Sequence, residues 1–174
     1  MFHLVRLKLL LLILAIYSFP VSAQTMQADS SLQSTVNTLE QSFFLSSNGR
    51  TIICSSAEFN ESGEVNGVTY TKRNKQDITV NNASTTCTSR VFDLSYVFYS
   101  QRSFNEDITH WDVSSVYDMS YMLYDATLFN QDLSSWCVSN LATTPVNFSE
   151  GSGLLDKFQP KWGTCPLTAQ MNKK

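Results

Sequence analysis

The residues best suited to acid–base chemistry surround His110, one of two histidines in this chain of 174 residues. Asp107 and Asp112 lie within three positions of it, and a His–Asp pair is part of a nucleophilic triad. The sequence has no G-x-S-x-G nucleophile motif, and the equivalent position of a related downstream segment is Ser135. We therefore predict no catalytic residues, and we interpret His110 as a solvated residue between two inward-facing apolar neighbours.

Six aspartates recur at nearly regular spacing through the centre of the chain and could supply oxygen ligands to calcium. They are Asp93, Asp107, Asp112, Asp118, Asp125 and Asp132. The sequence contains neither the calcium-binding nonapeptide pattern nor an EF-hand loop. We interpret these residues as structural or solvated acids, and we predict no metal and no cofactor.

Four cysteines are present, and neither a C-x-x-C pair nor histidine partners accompany them, which argues against a zinc site. In an oxidising compartment an even number of cysteines indicates disulfides, and four cysteines allow three connectivities. We favour Cys54–Cys87 and Cys137–Cys165, because each pair brackets one segment and neither loop crosses the other.

The N terminus predicts export to such a compartment. Arg6 and Lys8 precede an apolar run at residues 9–16, and the small residues at 21–23 suit a signal peptidase. Residues 1–23 are therefore predicted to be a signal peptide, with an uncleaved amphipathic anchor as the alternative. No later apolar stretch reaches membrane-spanning length, so we expect a secreted or cell-surface protein with no membrane span after signal removal.

Composition excludes two other classes of protein. Apolar residues make up 43% of the chain and aromatic residues 12%, which is enough to form a core and argues against disorder. The formal net charge is −3, and no basic run follows the first eight residues, so nucleic acid is not an expected partner.

An internal repeat is the strongest pattern in the chain, and it brings Phe104 into register with Phe129. The same alignment superposes two F-N-x-D strings and two tryptophans. The residues that we assign to the repeat are Phe104, Asn105, Trp111, Phe129, Asn130 and Trp136. The aromatic members are expected to face inward, and the two asparagines are expected to hydrogen bond between successive repeats.

Each repeat divides into two parts with different predicted structure. Residues 116–126 place Met119, Met122, Leu123 and Ala126 at helical spacing, whereas residues 104–113 suggest a short, bent strand. Because a single unit is too short to bury its own apolar side, the units are expected to stack. The predicted fold class is α/β: a short leucine-rich-repeat-like β/α solenoid of two to three repeats with disulfide-tied caps.

The remaining segments complete the predicted organisation. A polar segment with a candidate amphipathic helix occupies 24–50, with an apolar stripe of Leu32, Val36, Leu39 and Phe43. An N-terminal cap at 51–90 contains the hairpin signature Asn66-Gly67. The repeats then fill 91–142, a C-terminal cap 143–166, and a loose tail 167–174.

Tyrosines and sequons provide the candidate surface sites. Tyr96, Tyr99, Tyr121 and Tyr124 occupy equivalent repeat positions. Either two of the four belong to the core, or Tyr99 and Tyr124, each of which follows an inward residue, form a binding surface for carbohydrate or protein. Three N-x-S/T sequons begin at Asn60, Asn82 and Asn147. They would be glycan acceptors in a eukaryotic secretory pathway, whereas in a bacterium they would carry little functional information.

The segments 129–136, 111–116 and 118–122 resemble the BspA-like surface-protein repeat. That domain-of-unknown-function family was first noted in mycoplasma and is related to leucine-rich repeats. The resemblance extends over about residues 52–166 and implies a secreted or cell-surface protein associated with adhesion and protein binding. This chain has two good repeats, whereas many members have a long array.

Together these observations predict an extracellular protein-interaction module without catalytic activity, whose partner is an unidentified extracellular protein or glycan. The alternative is a structural component of an extracellular matrix or cell wall. An enzyme with a shallow site is the remote alternative.

Overall fold

The computed structural model describes residues 41–166. The predicted signal peptide at 1–23 and the loose tail at 167–174 lie outside the described residues. Most of the candidate helix at 24–50 lies outside them too. Within its apolar stripe, only Phe43 falls in the described part, where its side chain is buried.

Five short strands form two small sheets in the first half of the described chain. β1 (Phe44–Leu45) pairs antiparallel with β2 (Ile52–Ile53). β3 (Ser62–Val65), β4 (Val68–Lys72) and β5 (Thr86–Cys87) form the second sheet in that order. β3 and β4 are antiparallel, whereas β4 and β5 are parallel.

The hairpin between β3 and β4 turns at Asn66 and Gly67, whose φ angles are 53° and 79°. A two-residue hairpin turn of type I′ requires positive φ at both positions, and Asn-Gly tolerates this best. The predicted hairpin is confirmed.

Both predicted disulfides are present. Cys54–Cys87 lies fully buried in a small core with Phe43, Ile52, Ala57 and Val65. Cys137–Cys165 lies at the surface, where the Cys165 side chain is exposed. The two bridges close loops of similar length, with sequence separations of 33 and 28 residues.

Three single turns of 3₁₀ helix occur in residues 41–166, at Lys75–Asp77, Ala83–Thr85 and Asp156–Phe158. The first is capped by Asn74, whose side chain accepts hydrogen bonds from the backbone N–H groups of Gln76 and Asp77. The first two turns lie in the connection between β4 and β5, and the third follows the repeats.

A second, larger core occupies the repeat region. Trp111 and Trp136 are each 1% exposed, and Phe104 stacks on Phe129 with ring centroids 5.4 Å apart. The predicted inward orientation of these four aromatic residues is confirmed. Burial of side chains this large supplies most of the favourable free energy available to the region.

Backbone hydrogen bonds join successive repeats directly. In the first set, N–H groups at alternate positions donate to carbonyls of the next repeat: Leu94 to Asp118, Tyr96 to Ser120, Phe98 to Met122 and Ser100 to Tyr124. The second set continues the pattern into the following segment: Tyr121 to Val146, Leu123 to Phe148 and Asp125 to Glu150. Donor–acceptor distances range from 2.7 to 3.0 Å.

The predicted α/β solenoid is wrong. Residues 41–166 contain no α-helix, and the regular strands are confined to the two small sheets that precede the repeats. Segment 116–126 forms consecutive turns in place of a helix, and segment 104–113 contains no strand. The structure is a small mixed β-sheet domain followed by a region built from turns.

Two physical reasons explain why the predicted helix is absent. The N–H groups of Tyr121, Leu123 and Asp125 donate to a neighbouring segment, so they are not available for bonds within a helix. Tyr121 and Asp125 also have φ angles of 59° and 57°, which a right-handed helix excludes. The apolar positions Met119 and Met122 are nonetheless fully buried, because the turns face them inward.

Candidate binding surface

Five of the six regularly spaced aspartates form the same local structure. In each, carboxylate Oδ1 accepts a hydrogen bond from the backbone N–H two positions later, at 2.7 to 3.2 Å. The pairs are Asp93–Ser95, Asp107–Thr109, Asp112–Ser114, Asp118–Ser120 and Asp132–Ser134. This side-chain to backbone bond replaces a backbone turn, which is a frequent role of aspartate.

The residue between each aspartate and its partner is apolar and at most 2% exposed. These central residues are Leu94, Ile108, Val113, Met119 and Leu133. Each D-x-[ST] triplet is therefore a carboxylate-closed turn that directs one apolar side chain into the core. The sequence analysis interpreted these aspartates as structural or solvated acids. It did not notice that five of them begin a D-x-[ST] triplet, which is the signal that predicts the turns.

The sixth aspartate, Asp125, accepts a hydrogen bond from Arg102 Nη2 at 2.8 Å. Within residues 41–166, no group of three or more His, Cys, Asp or Glu side chains is arranged to hold a metal ion.

Hydrogen bonding favours the ionised form of two of these carboxylates. Hydrogen bonding from Ser134 lowers the pKa of Asp132 below its ordinary value, although burial opposes the shift. Burial also opposes ionisation of Asp93, but hydrogen bonds from Lys75 and Ser95 outweigh it and lower the pKa of Asp93. Both groups therefore accept hydrogen bonds as carboxylates at neutral pH.

Four tyrosines form a cluster at the surface of the repeats, here called the tyrosine cluster: Tyr96, Tyr99, Tyr121 and Tyr124. Tyr96 stacks on Tyr121 with centroids 4.9 Å apart, and Tyr99 stacks on Tyr124 at 5.3 Å. Tilted contacts of 5.6 and 5.7 Å join the two members from each repeat. Each ring therefore contacts two or more of the others, and these contacts restrict the rotamers of the four side chains.

The tyrosine cluster is partly exposed, and backbone hydrogen bonds join the segments that carry it. Tyr96 and Tyr99 are 54% and 43% exposed, while Tyr121 and Tyr124 are half-buried. The Tyr96 and Tyr121 N–H groups donate to the segment that follows each repeat, which holds both backbones in place. Of the two predicted surface residues, Tyr99 is therefore exposed and Tyr124 partly so. Sequence reasoning listed Tyr96 among the repeated tyrosines but did not select it as a surface residue, although it is the most exposed of the four.

His110 is buried, so the expectation that it is solvated is wrong. Its Nε2 lies 2.9 Å from the Thr86 carbonyl oxygen, and its ring contacts Tyr70 with centroids 5.1 Å apart. Burial lowers the pKa of His110, and the Thr86 bond and the charge of Asp107 offset this only in part. The Asp107 carboxylate accepts its hydrogen bond from Thr109.

Asp112, the other acid near His110, belongs to a buried polar network. It accepts a hydrogen bond from Ser89 Oγ at 2.6 Å and another from Ser114 Oγ at 2.6 Å. Ser89 Oγ in turn accepts the Cys54 backbone N–H at 3.0 Å. The network links the buried disulfide to the first repeat and gives Asp112 a structural role.

The three sequons have different surroundings. Asn60 is exposed, and its φ angle is 68°. The Asn82 side chain accepts the Thr79 N–H and donates to the Asp77 carbonyl. Asn147 is half-buried, with a φ of 47°.

The two repeat asparagines also have distinct roles. Asn105 Oδ1 accepts the Asn130 N–H at 3.0 Å, and the Gln131 side chain donates to both oxygens of Asn105. The expected contact between successive repeats is therefore present, through the backbone of Asn130.

The tandem turn-based repeats, the stacked aromatic residues and the terminal disulfides define a disulfide-linked repeat domain. A family model described as "Mycoplasma protein of unknown function, DUF285" matches residues 66–173, more than half of the chain. The chain belongs to this family. No curated protein and no solved structure matches this chain.

Proposed function

We propose that the protein is a secreted or cell-surface interaction module that binds an extracellular protein or glycan through the tyrosine cluster, without catalysis. The observation that carries the proposal is the ordered stacking of Tyr96 on Tyr121 and Tyr99 on Tyr124 at an exposed surface. Tyrosine offers a large contact area with a polar tip and is enriched in binding hot spots. Rings already ordered by their neighbours lose little freedom on binding.

Three further observations support this proposal. The two disulfides are typical of proteins in oxidising compartments. In the part of the chain that the structure describes, no helix has the length and apolarity needed to cross a membrane. The resemblance to BspA-like surface-protein repeats implies adhesion or protein binding.

The test is a binding isotherm for the secreted chain against extracellular material from its native source. We expect saturable binding that weakens by about tenfold in a Tyr96→Ser, Tyr99→Ser double variant, which corresponds to roughly 1.4 kcal/mol. Leu128→Ser is the matched control, because Leu128 is 62% exposed in the same region and lies outside the cluster. Equal loss in both variants, or binding that never saturates, contradicts the proposal. Self-assembly of the chain in place of binding favours the structural alternative.

A further inference from the structure

A second surface lies near the sheets, where four residues from three segments meet: Phe59, Lys72, and the neighbours Arg90 and Phe92. We call this surface the cationic notch. It consists of two adjacent depressions of about 200 and about 260 Å³, and Phe59, Arg90 and Phe92 line both. Phe59 and Phe92 are 47% and 53% exposed, so two phenyl rings face solvent beside a guanidinium.

Among the described residues, two of the three cations that line these depressions, Lys72 and Arg90, form no ion pair with a carboxylate. Lys72 is 4% exposed, and its Nζ donates to the Ala57 carbonyl at 2.7 Å and approaches the Phe59 ring to 5.3 Å from the centroid. Arg90 Nη1 reaches only the Ser55 carbonyl, at 3.5 Å. Within residues 41–166, neither cation forms an ion pair with a carboxylate, whereas Lys75 does.

The notch combines two like charges with an uncommon backbone conformation at Arg90. Two like charges lie near each other: burial and then the charge of Arg90 lower the pKa of Lys72, although the charges of Glu58 and Glu61 offset part of this. Arg90 has a φ of 65°, an uncommon conformation for a residue with a long side chain.

We propose that the cationic notch binds an acidic segment of a partner protein, with a carboxylate at Arg90 and an apolar side chain between Phe59 and Phe92. Arginine flanked by aromatic rings is the composition of an interface hot spot. A carboxylate bound there would form a two-pronged bond with the Arg90 guanidinium, which has no ion-pair partner among the described residues. Glu58 lines the larger depression and competes with the incoming carboxylate. This site does not depend on the tyrosine cluster, so either site can fail without the other.

The test measures binding of an acetylated and amidated pentapeptide with a central Glu-Phe-Glu segment to the full chain, with a matched peptide carrying Gln for Glu. We expect binding of the acidic peptide only, weakened by added salt. Arg90→Gln should lower affinity about tenfold, and Phe92→Ser should also lower it. Glu58→Gln should raise affinity, and Arg50→Gln, which removes an exposed arginine outside the notch, should leave it unchanged.

Three outcomes would overturn the proposal: equal binding of the two peptides, equal effects of Arg90→Gln and Arg50→Gln, or no binding at millimolar peptide. Binding to phosphatidylserine vesicles without peptide binding would also overturn it and would indicate a lipid headgroup. The opposite responses of Glu58→Gln and Arg90→Gln separate a charge-specific site from loss of fold, because misfolding would weaken binding in both.

Discussion

The sheet region at residues 43–90 and the repeat region at 91–154 satisfy their backbone polar groups in different ways. In the sheet region, β3 and β4 are adjacent in sequence and pair through a tight turn. In the repeat region, N–H groups donate to carbonyls of the segment one repeat further along the chain, and the larger core forms without helix or regular strand. Regular secondary structure is therefore not needed for a dense core, provided that each backbone group finds a partner.

The largest expected effect is the loss of a repeat tryptophan. Trp111→Ala removes a buried ring and the hydrogen bond from Nε1 to the Ala83 carbonyl, which is 3.0 Å long. We expect the free energy of unfolding to fall by about 3–5 kcal/mol, measured by chemical denaturation. Leu128→Ala, at an exposed position, is the control and should change it little.

Trp111 and Trp136 also differ from each other. Trp136 Nε1 is buried and has no hydrogen-bond partner in the described part of the chain. Substitution by phenylalanine should therefore cost about 1 kcal/mol more at position 111 than at 136, because only Trp111 loses a bond. Equal costs at the two positions would show that the Ala83 bond adds nothing.

The two disulfides should differ in reactivity more than in stabilisation. Their loops are similar in length, so each should stabilise the fold by about 3–4 kcal/mol. Cys54 and Cys87 are fully buried, whereas Cys165 is exposed. Mild dithiothreitol followed by iodoacetamide and peptide mass spectrometry should label Cys137 and Cys165 first. Simultaneous labelling of all four would contradict the difference in exposure.

The D-x-[ST] turns offer a smaller, specific test. Asp118→Ala removes the acceptor for the Ser120 N–H and should lower the free energy of unfolding by about 1 kcal/mol. Asp118→Asn keeps an oxygen acceptor and should recover most of that loss. Asp77→Ala is the control, since Asp77 is exposed and outside the repeats. If Asn and Ala have the same effect at 118, the carboxylate-closed turn is not stabilising.

The pH dependence should separate His110 from the turn acids. Burial lowers the pKa of His110, so the unfolded chain takes up the proton first as pH falls below about 6.5. The associated stability is present above that pH and is lost as pH falls towards the folded pKa. Asp93 and Asp132 have lowered pKa values, so their contribution is lost only below about pH 4.

The measurement is the free energy of unfolding between about pH 7 and pH 5, the range that spans the ordinary pKa of histidine, compared with that of His110→Gln. We expect the variant to show a weaker dependence on pH in this window. If His110→Gln showed the same pH dependence of the free energy of unfolding as the parent protein, His110 would be accessible to protons in the folded protein.

Sequence reasoning succeeded where a local signal has one structural meaning. Asn66-Gly67 specifies a hairpin turn, and the repeat register identifies the buried aromatic residues. It failed at 116–126, because burial at helical spacing does not reveal where the backbone N–H groups donate. Tyr121 adopts a positive φ, which tyrosine rarely does, so no residue preference predicts it. A D-x-[ST] triplet would have indicated a turn.

The two candidate sites also differ in whether the sequence predicts them. Tyr99 and Tyr124 follow from the repeat, since equivalent positions in stacked units come together. The cationic notch does not follow from it, because Phe59, Lys72 and Arg90 are brought together by the sheets and not by any shared pattern.

The repeats are built from turns joined by hydrogen bonds between repeats. Nuclear magnetic resonance detection of scalar couplings across hydrogen bonds tests this directly. We predict couplings from the Phe98 amide nitrogen to the Met122 carbonyl carbon and from Leu123 to Phe148. Coupling of the Met122 nitrogen to the Asp118 carbonyl carbon, one helical turn earlier, would show an α-helix and contradict this turn-based architecture.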